Sequence, residues 1–225
     1  MKRYKVGIIG ATGMVGQRLI TLLHNHPWFE ISLLAASKSS AGKPYEEAVL
    51  GRWMMATPLP EPIKPMMVVD AAEKQRIADA VDFIFCAVSL PREETRALEE
   101  AFAKLGLPVI SNNSACRMVD DVPMIIPEIN ADHARLIKAQ KKRLGTDRGF
   151  IVVKPNCSIQ SYVPALHALM DFHPSALNVC TYQAVSGAGR TLATWPEMNA
   201  NVIPFIGGEE EKSEQEPSKV WGQLS

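Results

Sequence analysis

The chain has 225 residues, room for one large domain or two modest ones with a real core, which excludes a short disordered peptide or a miniprotein. Lys plus Arg and Asp plus Glu each number 24, so no net charge favours nucleic acid or anionic lipid, and a small-molecule partner is expected. The four cysteines, Cys86, Cys116, Cys157 and Cys180, lack CxxC spacing and read neither as a disulfide framework nor as a metal site; no apolar stretch approaches the ~20 residues of a membrane span. A cytoplasmic protein, neither exported nor membrane-bound, is the expectation.

The first 110 residues alternate short apolar runs with amphipathic segments, the pattern of a parallel sheet flanked by helices. Strands are predicted at Lys5–Gly10, Ile31–Ala36, Met67–Asp70, Asp82–Val88 and Pro108–Ser111. Helices are predicted at Met14–Asn25 and at Pro91–Leu105, the latter with Pro91 and two acids in its first turn and Gly106 as its stop. Pro58, Pro60, Pro62 and Pro65 mark a stiff loop. A polar helix near Ala131–Leu144 then leads to a strand at Phe150–Val153, an apolar helix at Gln160–Met170, a strand at Asn178–Val185, a Gly-rich turn and the charged run Glu209–Lys212. The fold class is α/β, with a doubly wound, Rossmann-like nucleotide-binding domain over 1–155 and a second domain from 156 to 225.

The predicted first strand runs into Gly10-Ala11-Thr12-Gly13-Met14-Val15-Gly16, a GxxGxxG opening a helix. Glycine lets a backbone approach a pyrophosphate, and the free N–H groups and dipole of a helix N-terminus attract its charge. The end of the second strand selects the dinucleotide. NAD enzymes usually carry an acid there, whereas Ser37, Lys38, Ser39 and Ser40 offer hydroxyls and an ammonium suited to a 2′-phosphate. NADP is the expected cofactor.

Cys157 follows Pro155-Asn156 and precedes a helix, where unfilled N–H groups favour thiolate over thiol and make the sulfur a usable nucleophile. Cys86, inside the strand Asp82–Val88, and Cys180, inside the strand Asn178–Val185, are expected to be structural; Cys116 is ambiguous by composition.

Gly10–Gly16, Ser111–Arg117 (SNNSACR), Asp121–His133 (DVPMIIPEINADH), Pro155–Ser158 (PNCS), Tyr182–Gly189 (YQAVSGAG) and Ile206–Lys212 (IGGEEEK) occur in the order that aspartate-semialdehyde dehydrogenases show. The sequence resembles the archaeal and fungal type over essentially its whole length. The resemblance implies an NADP-dependent enzyme of lysine, methionine and threonine biosynthesis, a homodimer or homotetramer, with residues 156–225 as the first part of an α+β catalytic and dimerisation domain. It implies Cys157 as the thioester-forming nucleophile and Gln183 as the residue orienting the acyl group. Arg117 would hold the substrate phosphate. Glu210 and Lys212, matched to a Glu-x-Lys segment, would meet the substrate amino group and phosphate. Thr12 to Val15, Ser39 with Ser40, and Ser186 with Gly187 would touch the cofactor. An acyl-CoA reductase of the malonyl type shares the architecture and the thioester step, and a catalytically inactive cofactor-binding paralogue is the non-enzyme alternative.

In the family a catalytic His and a carboxylate-binding Arg follow the Glu-x-Lys segment. None of His24, His26, His133, His167 and His173 matches that position, and residue 225 falls inside the helix after the segment. Either a fragment of a longer enzyme or a lost domain end accounts for this.

Overall fold

The computed structural model describes residues 2–224. The chain divides into two compact units, the first running to Pro123 and resuming over Ala134–Lys154, the second comprising Met124–His133 and everything from Pro155.

In the first unit six strands lie parallel in the order β3-β2-β1-β4-β5-β6: β1 (Tyr4–Ile9), β2 (Phe29–Ala36), β3 (Val68–Asp70), β4 (Phe83–Cys86), β5 (Val109–Ser111) and β6 (Ile151–Val153). The order reverses between β1 and β4, the switch point at which sheets of this kind bind ligands beyond their carboxyl ends. Central β1 is apolar from Val6 to Ile9 and buried throughout that run, as a parallel strand covered on both faces must be. Strands β4 and β5 alternate between buried and half-buried residues.

Helix α1 (Met14–Leu23) presents Gly16, Gln17, Ile20 and Leu23 to the core. This is one face at helical spacing, and Asn25, at φ 61°, stops the helix in the left-handed region that asparagine tolerates. Two short helices, α2 (Tyr45–Ala48) and α3 (Lys74–Ala80), escape sequence reasoning because each buries only one or two side chains, too few to show a period. The proline-rich stretch between α2 and β3 has no regular structure, as expected. Helix α4 (Arg92–Lys104) begins just after Pro91, carries Glu93 and Glu94 in its first turn, and ends before Gly106 at φ 81°.

The polar helix expected near Ala131–Leu144 is two pieces, a 3₁₀ turn over Ala131–Leu136 and α6 (Ile137–Leu144), which Gly145 caps in the left-handed conformation; a short helix, α5 (Pro127–Asn130), precedes them. The reason lies in tertiary bonds. Asn130 bridges the Ile126 amide and the Met124 carbonyl and meets His133 Nδ1, while Gln140 is bonded to Ile151 at both its amide atoms.

In the second unit α7 (Cys157–His167) packs against α8 (Glu209–Val220); α7 buries Ser158, Ile159 and Val163, and α8 buries Glu216, Pro217 and Val220. Helix α7 begins three residues earlier than expected because Asn156 caps it, its side chain accepting from the Ser158 amide at 3.1 Å. The strand expected at Asn178–Val185 does not form. Leu177, Val179 and Tyr182 stand 51%, 44% and 93% exposed, and among the described residues no strand lies alongside to take up the backbone bonds. Cys180 is correspondingly exposed rather than structural, whereas Cys86 and Cys116 are buried; all four thiols are free. No helix among the described residues is long and apolar enough to cross a membrane.

Candidate active site

Candidate residues gather separately in the two units. In the first, the turn from β1 into α1 is tied to β2, with the Gly10 and Ala11 amides donating to the Ala35 carbonyl at 2.9 and 3.0 Å. A Cβ on Gly10, whose φ is 83°, would lie 2.3 Å from the Ala87 carbonyl oxygen, and one on Gly16 would lie 2.3 Å from the Gly10 oxygen. Those two glycines serve backbone packing. Gly13 differs: it is exposed, and a Cβ there would meet only the Gly10 oxygen at 3.4 Å, so this is the glycine that leaves space for a ligand. Around it the first-turn N–H groups of α1 face no capping side chain and no acid. This uncapped, unopposed helix start suits a pyrophosphate.

Beyond β2, Ser37 Oγ and Ser39 Oγ lie 3.0 Å apart, and Lys38 is exposed. Ser40 is buried, its amide donating to the Ser37 carbonyl, and so is not presented to a ligand as Ser37 and Ser39 are. Lys43, overlooked in the sequence, brings a second ammonium to the turn by donating to the Ser39 carbonyl at 3.1 Å. Its signal was concealed by Gly42, whose φ of 77° folds the chain back.

Past β5, the loop that carries Arg117 is held by a buried carboxylate. Glu99 of α4 accepts from Ser111 Oγ at 2.5 Å and from Asn113 Nδ2 at 2.8 Å. Arg117 is 7% exposed, which excludes a solvated surface ion pair, and its guanidinium donates to the Asn112 carbonyl at 3.4 Å. Cys116 is almost fully buried; burial first, then the Glu99 carboxylate, pushes its thiol up to about 12.

In the second unit, Cys157 is the first residue of α7 and is exposed. Its Sγ donates to Asn156 Oδ1 at 3.3 Å, the oxygen that also accepts from the Ser158 amide and hydroxyl. Asn156 is in turn oriented from α8: its Nδ2 donates to Glu209 Oε1 at 2.9 Å and its backbone N–H to Glu216 Oε2 at 2.6 Å. Glu209 Oε1 further accepts from Ser158 Oγ and, at 3.1 Å, from Gln183 Nε2, while Lys212 Nζ stands 3.7 Å from Oε2. Burial raises the Glu209 carboxyl, but the bonds from Ser158, Asn156 and Gln183, with the Lys212 charge, outweigh it and leave its pKa below the ordinary value.

In α8 it is Glu209 whose carboxylate meets these groups, while Glu210, the residue matched by the resemblance, is exposed. Residues three apart share a helix face and residues two apart do not, so Lys212 pairs with Glu209. Gln183 therefore joins Cys157 through Asn156 and Glu209. Ser186 and Gly187 lie on the exposed 3₁₀ turn Val185–Ala188 just beyond it. His133, 5% exposed, has both ring nitrogens engaged, by Asn130 and by the Gly222 carbonyl at 2.9 Å. No cluster of potential metal ligands occurs among the described residues.

Limiting alkylation of the folded chain followed by peptide mapping should label Cys157 first and leave Cys86 and Cys116 unlabelled, since burial pushes both of those thiols up. Cys180, exposed but at no helix start, should follow; labelling of Cys86 or Cys116 ahead of Cys157 would refute the assignment.

Comparison with known proteins places these features in context. Residues 5–137 match the family model described as semialdehyde dehydrogenase, NAD binding domain, and residues 166–225 match its dimerisation domain. The chain is 45% identical over 223 residues to an aspartate-semialdehyde dehydrogenase of Archaeoglobus fulgidus, covering 99% of this chain and 63% of the relative. It is 41% identical to that of Schizosaccharomyces pombe, covering 98% and 61%. The crystal structure of aspartate semialdehyde dehydrogenase with NADP from Candida albicans superposes with a TM-score of 0.83 at 35% identity, over all of this chain and 62% of that one. The chain thus spans about three-fifths of the length of these relatives. With both family models matched in order along a sheet of this topology, the chain belongs to the semialdehyde dehydrogenase family.

Proposed function

We propose that the protein is an NADP-dependent aspartate-semialdehyde dehydrogenase acting in the reductive dephosphorylation of L-aspartyl 4-phosphate, within lysine, methionine and threonine biosynthesis in the cytoplasm. The observation that carries this reading is the Cys157 cluster: an exposed thiol at a helix start, with Asn156, Gln183, Glu209 and Lys212 converging beside it.

The residues present suit the chemistry. Cys157 sulfur attacks the acyl carbon of the acyl phosphate, the C–O bond to phosphate breaks, and a thioester remains on the protein. Bound NADPH would supply the hydride that reduces the thioester to the aldehyde, with the thiolate as leaving group. Gln183 orients the acyl group, and Arg117 offers the phosphate a guanidinium whose fork can give two parallel charge-assisted bonds. Glu209, held below its ordinary pKa, would receive the substrate ammonium in preference to the exposed Glu210, with Lys212 supporting phosphate. The start of α1 around Gly13 would hold the cofactor pyrophosphate; Ser37, Ser39, Lys38 and Lys43 would hold its 2′-phosphate, and Ser186 with Gly187 its nicotinamide end. Residues 166–225 match a dimerisation-domain model, and the exposed apolar residues of the second unit, among them Phe172, Tyr182 and Phe205, fit assembly into a homodimer or larger oligomer.

Intact-mass measurement after exposure to L-aspartyl phosphate tests the reading directly. An aspartyl adduct on Cys157 that is absent from Cys157→Ala supports it; acylation by malonyl-CoA alone would favour the acyl-CoA reductase reading, and no adduct from either would reject both.

A further inference from the structure

The part of the β2–β3 excursion that follows Lys43, with α2 and the proline-rich loop, has no role in the contacts proposed above, yet it is bonded to the β1–α1 turn and to α1. Tyr45, fully buried, donates its hydroxyl to the Ala11 carbonyl at 2.7 Å. Gln17, 1% exposed, donates to the Thr12 carbonyl at 3.1 Å and to the Arg52 carbonyl at 2.8 Å, and accepts from the Met54 amide at 2.8 Å. Both carbonyls are thus held toward the protein interior.

In a trans peptide the C=O and N–H of one unit point in opposite directions. Holding the Ala11 oxygen inward therefore turns the Thr12 N–H outward. That amide has no acceptor among the described residues, and it stands beside the uncapped first turn of α1. Without such a restraint, rotation of the Ala11–Thr12 peptide would present a carbonyl oxygen to the cofactor's phosphates and repel them.

We propose that Tyr45 is a positioning residue for the cofactor's pyrophosphate, acting by locking the Ala11 carbonyl inward so that the Thr12 N–H faces the phosphate, with Gln17 restraining the next peptide. Burial keeps the phenol well above its ordinary pKa, so the hydroxyl stays a donor across the working pH range. The tyrosine ring also packs edge-on against Trp53 at 6.5 Å, which keeps the aromatic in place when the hydroxyl alone is removed. The proposal rests on the reading that this unit binds NADP.

Tyr45→Phe in the full 225-residue chain is the test, with NADPH and adenosine 2′-phosphate titrated separately and thermal unfolding followed alongside. The second ligand engages the turn beyond β2 but has no pyrophosphate. Loss of one buried hydrogen bond that organises a phosphate contact should weaken NADPH about tenfold and leave adenosine 2′-phosphate within about twofold. Gln17→Met should act in the same direction on NADPH. Equal NADPH affinity in Tyr45→Phe and wild type overturns the inference, as does equal weakening of both ligands, which would mark a merely structural tyrosine. A wild-type chain that binds adenosine 2′-phosphate but not NADPH, or neither, overturns the underlying cofactor reading instead and takes the inference with it.

Discussion

The 225-residue chain is expected to bind NADPH at least tenfold more tightly than NADH and yet to oxidise aspartate semialdehyde, with phosphate and NADP, at no more than about a hundredth of the rate of the Archaeoglobus fulgidus relative. The residues proposed for the cofactor's pyrophosphate and 2′-phosphate lie in the first unit. There the helix start around Gly13 is open and unopposed, and Lys38 and Lys43 flank the Ser37–Ser39 turn. One charge-assisted contact contributes about 1.5–3 kcal/mol, tenfold or more in affinity. Turnover needs a general acid and base near Cys157; neither His133 nor His167 is suited to supply it, and His173 lies farther along the chain, after the turn Met170–Phe172. His133 has both nitrogens engaged, and His167 lies ten residues along α7, about 15 Å from its start at 1.5 Å per residue. General acid–base help is typically worth ~10²–10⁴ in rate. Spectrophotometric assay of both proteins side by side decides the matter: activity of the chain within about tenfold of the relative would show that a histidine already present does the work, and equal affinity for NADPH and NADH would reject the reading of the Ser37–Lys43 turn.

Gly16→Ala should cost about 3 kcal/mol of stability, whereas Gly13→Ala should leave stability within about 0.5 kcal/mol of wild type. The methyl added at position 16 would stand 2.3 Å from the Gly10 oxygen and 2.7 Å from Ala11 Cα, and neither is a side chain that can swing away. Relief would require α1 to shift off the sheet, where Ile20 is wholly buried and Leu23 nearly so. For a domain whose total stability is about 5–15 kcal/mol, that loss is large. At position 13 the methyl meets one atom at ordinary distance and projects from an exposed surface, so its effect should fall on NADPH binding and not on folding. Urea unfolding midpoints and NADPH titrations on the two variants provide the readout. A Gly16→Ala protein with the wild-type midpoint would overturn the packing argument, and a Gly13→Ala protein that binds NADPH normally would remove Gly13 from the cofactor site.

Much of the first unit was legible beforehand because its signals are local. Runs such as Val6–Ile9 and Leu33–Ala36 are apolar at every position, and the helix stops at Asn25 and Gly106 announce themselves by residue type. The strand expected at Asn178–Val185 failed for the opposite reason: its apolar residues need a neighbouring strand, which no local pattern provides. The Glu209–Glu211 run shows the same limit. Composition marks an acidic helix start, but which of three successive acids faces Cys157 depends on the rotation of α8 about its axis, set by the burial of Glu216, Pro217 and Val220.

By itself, then, the amino-acid sequence determined the alternation of strand and helix, the glycine turn at the first strand, the absence of an acid after the second, and the placing of Cys157 at a helix start; each depends on residue type and short spacing alone. Only the tertiary structure decided that Gly10 and Gly16 are packing glycines while Gly13 is open, that Lys43 joins Lys38, that Tyr45 and Gln17 hold the loop from within, and that Glu209 and not Glu210 orients Asn156 beside the thiol. Those outcomes rest on contacts between residues far apart in the chain, such as Gly10 with Ala87 and Asn156 with Glu209, whose distances are set by how the elements pack and not by any pattern within them.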